Sequence, residues 1–100
     1  MKALIVAKEE ELVDQMVSLV EESGLDIFGT TSDTQAISQM QSGEIGAVVI
    51  GEGMKGDERD LLCAAADRQG LPVIEGDQRG EDLREYAVHE LLPQLRAKLG

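Results

Sequence analysis

The side chains of this chain that could do chemistry are few and widely spaced. His89 is the single histidine, set among Glu85 and Glu90, where an imidazole is more economically a surface residue than an acid–base catalyst. Cys63 is the single cysteine, so it can form no disulfide within the chain. Its neighbours, Leu61-Leu62 and Ala64-Ala65-Ala66, read as helix core and place the thiol there rather than in a nucleophilic setting. Ser23, Ser32 and Ser42 fall at expected helix boundaries, where a hydroxyl caps the backbone, and no histidine lies in a segment that could activate one. What remains are two short stretches at the expected ends of strands, Ala7-Lys8-Glu9-Glu10 and Gly51-Glu52-Gly53. Parallel α/β sheets hold ligands and catalytic groups at the carboxyl ends of their strands, so these stretches bear most directly on function.

The elements that position them follow from hydrophobic periodicity. Residues 3–7 form a continuous apolar run, as a parallel strand buried on both faces requires. Leu12, Val13, Met16, Val17, Leu19 and Val20 recur at helical spacing behind Glu9, Glu10 and Glu11, with Gly24 as a stop. Residues 25–29 are a weaker strand suited to a sheet edge, and Ser32 or Asp33 caps a short helix carrying Ala36, Ile37 and Met40. Residues 45–50 are the third strand. Asp57 opens a third helix with Leu61, Leu62, Ala65 and Ala66 inward, and residues 71–74 are a fourth strand with Pro72 at its start. A last helix is expected over 81–98, with Leu83, Tyr86, Ala87, Leu91 and Leu95 inward and a kink or break at Pro93. The strict β-α alternation predicts one α/β domain over residues 1–100, a three-layer α/β/α arrangement on a four-stranded parallel sheet of order 2-1-3-4.

Composition narrows the function classes. The chain has 100 residues, 42% of them hydrophobic, which suits a single core. Its 20 acidic and 9 basic side chains give a formal charge of -11, which repels a phosphate backbone and argues against nucleic acid as a partner. The apolar run after Lys2 is too short for the core of a signal peptide, no stretch approaches membrane length, and the lone thiol suits the cytoplasm.

Leu4-Ile5-Val6, the helix after it, Gly29-Thr30-Thr31-Ser32-Asp33, Ala47-Val48-Val49-Ile50, Met54-Lys55-Gly56 and Leu71-Pro72-Val73-Ile74 occur in the order and spacing of response-regulator receiver domains. Over about residues 2–80 the chain resembles that flavodoxin-like family. The resemblance implies a phosphoacceptor carboxylate at Gly51, an acidic metal-binding pair at Ala7-Lys8, a hydroxyl near Gly76 or Asp77, and a lysine on a fifth strand. Each is absent: Lys98 lies too late for the lysine, and Glu52 would point to the opposite side of an extended strand from position 51. Gly51, Glu52 and Gly53 thus form a degenerate phosphoacceptor loop. The expected protein is a pseudo-receiver: non-catalytic, without metal or cofactor, contacting protein partners through its surfaces.

Two other assignments stand beside it. Gly46-Ala47-Val48-Val49-Ile50, Glu58-Arg59-Asp60-Leu61-Leu62, Leu71-Pro72-Val73-Ile74 and Asp82-Leu83-Arg84-Glu85 are similar to the small F subunit of archaeal-type and vacuolar-type rotary ATPases, which also has four strands and a last helix. Alternatively, Gly51, Gly53 and Gly56 ahead of a helix could offer backbone donors to a small anion, although Asp57 and Glu58 would oppose one. Four strands leave two open edges, so a homodimer face of Val73, Ile74, Leu83 and Tyr86 is a further expectation.

Overall fold

The computed structural model describes residues 2–51, 56–75 and 92–99. The elements run β1 (Lys2–Val6), α1 (Glu10–Glu22), β2 (Ile27–Thr30), α2 (Asp33–Gln41), β3 (Ile45–Ile50), α3 (Asp57–Arg68), β4 (Val73–Glu75) and α4 (Leu92–Leu99). All paired strands are parallel and the sheet order is β2-β1-β3-β4, the flavodoxin-like order expected from the alternation.

Burial of β1 organises the layers. Ala3, Ile5 and Ala7 face Val13, Met16 and Val20 of α1 and Leu92 and Leu95 of α4, joined by Ala47, Val49 and Ile74. Leu4 and Val6 face Ala36 and Met40 of α2 and Leu62 and Ala66 of α3, joined by Val48 and Ile50. Alternate side chains of one strand therefore fill both halves of the core, which is why its sequence is uniformly apolar. One irregularity interrupts the pattern. Lys2 pairs with Ile45 but Ala3 pairs with Ala47, so Gly46 is an extra residue in β3 and Ile45 joins the same face as Val48.

Gly29 and the polar corner of Thr30 and Ser32 set how the outer elements approach. A Cβ on Gly29 would stand 2.5 Å from Val13 Cγ1 and 2.6 Å from Val17 Cγ2, so glycine lets α1 lie directly on the edge strand β2. Ser32 caps α2, its Oγ accepting from the Gln35 N–H at 3.2 Å. Thr30, the buried polar residue at the end of β2, donates its hydroxyl to Gln35 Oε1 at 2.5 Å and accepts from the Ser32 N–H at 3.0 Å. The β2–α2 corner is thus held by a closed side-chain circuit.

Several boundaries shift from expectation. β2 lies at Ile27–Thr30 rather than 25–29, with the Asp26 carbonyl accepting from the Ala3 N–H at 2.9 Å just ahead of it. β4 starts at Val73, and Pro72 contributes only its carbonyl, to the Val48 N–H at 3.0 Å. In α3 the inward residues are Leu62 and Ala66, whereas Leu61 is 52% exposed. Pro93 lies within the described part of α4, and the expected helix ahead of Leu92 is outside the described residues.

Gly29→Ala should destabilise the fold by about 1–3 kcal/mol through overpacking against α1. Combining it with Val13→Ala should cost less than the sum of the two single changes, as read from urea unfolding midpoints; strict additivity would contradict the contact.

Candidate functional site

The carboxyl ends of β1 and β3 lie side by side. Val6 pairs with Ile50, and the ladder continues one step further as the Gly51 N–H donates to the Val6 carbonyl at 2.7 Å. On the other side the Ala7 N–H donates to the Thr30 carbonyl at 3.3 Å. Ala7 and Gly51 are both buried.

Gly51 is required by space rather than by torsion, because its backbone is outside the left-handed region. A Cβ there would sit 2.7 Å from Ala7 Cβ, 3.2 Å from the Val6 carbonyl oxygen and 3.3 Å from Ala7 Cα. These neighbours are strand backbone and the first side-chain atom, none of which can swing aside. Position 51, where the receiver resemblance places its acceptor carboxylate, is therefore closed to a side chain by the packing of β1 against β3.

Charge is arranged differently as well. Lys8, immediately after β1, pairs with Glu58 in the first turn of α3, Nζ to Oε1 at 3.9 Å, with both side chains about half exposed. An exposed pair of this kind contributes about 0–1 kcal/mol. It puts an ammonium group at the position where the receiver resemblance expects an acidic pair. Glu9 is the N-cap of α1 without a side-chain capping bond, Glu10 is its first residue, and both are exposed. Among the described residues, no group of three or more His, Cys, Asp or Glu side chains could hold a metal ion.

The loop glycines are only partly described. Gly56 is the N-cap of α3, with φ 64° and ψ -131°, and its carbonyl accepts from the Asp60 N–H at 3.1 Å. Asp57, Glu58 and Asp60 fill the first turn, so the field at this helix end disfavours an anion. Glu52, Gly53, Gly76, Asp77 and His89 lie outside the described residues.

The remaining candidates resolve into structural roles. Ser42 Oγ donates to the Gln39 carbonyl at 2.6 Å, Ser23 Oγ to the Leu19 carbonyl at 3.5 Å, and Ser32 caps α2. Cys63 is half-buried and packs against the α2–α3 side of the core. Of the residues expected at a dimer face, Ile74 is a correction: it is 3% exposed and packs in the core beneath α1 and α4, because it alternates with half-buried Val73. Leu83 and Tyr86 lie outside the described residues. Sequence inspection missed the Lys8–Glu58 pair, whose signal is a base after β1 and an acid in the helix after its neighbour β3.

No protein-family model matches the chain, and no curated protein matches it. Among solved structures it is similar to the solution NMR structure of a de novo designed Rossmann 2x3 fold protein. The two are 16% identical, the match covers 93% of this chain and 90% of that one, and the TM-score is 0.66. A likeness at that identity shows the fold alone. No helix among the described residues is long and apolar enough to cross a membrane.

Gly51→Ala should cost about 1–3 kcal/mol, and Ala7→Gly in the same chain should recover part of it by removing the closest atom. Lys8→Ala should cost less than about 1 kcal/mol. Chemical denaturation of the variants checks both values, and a neutral Gly51→Ala would contradict the close approach.

Proposed function

We propose that this chain is a receiver-like, non-catalytic protein-interaction domain in which the strand end normally used for phosphoryl transfer has become a packing contact. The observation that carries this is the Ala7–Gly51 approach, which leaves 2.7 Å between Ala7 Cβ and any Cβ at position 51. The Lys8–Glu58 pair supports the same assignment, since it puts a half-exposed ammonium group where the resemblance expects a metal-binding pair. A net charge of -11 disfavours nucleic acid as a partner, and a cytoplasmic setting suits a free thiol at Cys63.

The four-stranded described sheet, with β4 at its edge, also suits the rotary ATPase stalk subunit as a second assignment. Recovery of stalk subunits in a pull-down with the full chain would select it.

Titration with beryllofluoride and magnesium, followed by amide NMR, tests the main proposal. Saturable shifts at Ala7, Thr30 and Gly51 are not expected. Their appearance would overturn the proposal, because they would report an acyl-phosphate mimic held at the strand ends.

A further inference from the structure

We infer that two copies of this chain pair through the exposed face of α3, with the two helices antiparallel and Leu61 of each copy seated against Ala64 of the other. Leu61 is the one large hydrophobic residue exposed among the described residues. Leu61, Ala64, Ala65 and Arg68 fall at i, i+3, i+4 and i+7, so they share one face of α3, and with Ile37 and Gln41 of α2 they line a recess of about 110 Å³. Asp57, one turn before Leu61, extends that face to the start of the helix.

The order of side chains along this face selects the occupant. Read from the N-terminus it runs acid, leucine, alanine, base. Asp57 and Arg68 are exposed, and neither takes part in an ion pair among the described residues. They are eleven residues apart, about 16 Å along a helix, and cannot meet within one copy. Reversing a second α3 against the first brings Asp57 of each copy to Arg68 of the other and sets Leu61 over the small Ala64. One two-fold axis between Leu61 and Ala64 satisfies both ends at once, as an isologous contact requires.

The other described helices do not allow this. Residues 10–22 of α1 and 33–41 of α2 contain acids and no lysine or arginine, so reversed copies would set acid against acid or against nothing. The described part of α4 has Arg96 and Lys98 but no acid in its first turn. A net charge of -11 opposes chance association of copies, and among the described helices the α3 face is the one that carries an acid at one end and a base at the other. The pairing is independent of the fate of position 51.

Sedimentation velocity over a concentration series tests it. The full chain should approach twice 10.8 kDa as concentration rises. Leu61→Asp should raise the dimer dissociation constant at least about tenfold, with an unchanged circular dichroism spectrum. Asp57→Arg and Arg68→Asp should each weaken self-association, whereas an equimolar mixture of the two variants should restore a dimer, since both ion pairs are then reconstituted. A monomer at every concentration into the millimolar range would overturn the proposal. So would a dimer indifferent to Leu61→Asp and not restored by mixing.

Discussion

Everything else in this domain depends on a central strand from which water is excluded on both faces. Ala3, Leu4, Ile5, Val6 and Ala7 are all at most 1% exposed. Burying an aliphatic side chain contributes about 1.5–3 kcal/mol, so Leu4, Ile5 and Val6 together drive helices onto both sides of the sheet. That demand sets the layers: α1 and α4 cover one face and α2 and α3 the other. It also limits what can stand beside the strand. Where neighbouring elements come closest the sequence has no side chain, as at Gly29 under α1 and Gly51 beside Ala7.

The carboxyl end of the sheet is best understood through the same demand. At position 51 the packing leaves no room for a Cβ, and so none for a reactive side chain. Gly51 is buried against β1, its amide is taken by the Val6 carbonyl, and Lys8, just after β1, pairs with Glu58. Thr30 keeps a hydroxyl at the adjacent strand end, but that hydroxyl closes the circuit with Gln35 and Ser32 that fastens α2. Polar groups at this edge are spent on joining strands to helices. Among the described residues the one exposed large hydrophobic side chain lies elsewhere, at Leu61 on α3.

Much of this was legible in the sequence because parallel α/β proteins write burial directly into composition. The apolar run at residues 3–7, the spacing of Val13, Met16 and Val20, and the strict alternation of elements were enough for the sheet order. Periodicity was less informative where two adjacent residues were both apolar. Leu61 and Leu62 are about 100° apart on a helix, and only contact with α2 and β3 decides that Leu62 and Ala66 turn inward. Val73 and Ile74 pose the strand version of the problem, and alternation sends Ile74 into the core. The lack of a side chain at Gly51 could be read from residue types. The reason for it could not, since Ala7 and Gly51 are far apart in the chain and meet only through the β1–β3 register.

On the proposed reading, the close approach of Ala7 to Gly51 leaves the end of β3 without a phosphoacceptor. Intact-mass spectrometry of the full chain after incubation with acetyl phosphate and magnesium probes this position. The mass should stay unchanged from that of the untreated protein. A stoichiometric gain of one phosphoryl group, mapped by peptide analysis to residues 51–53, would contradict it.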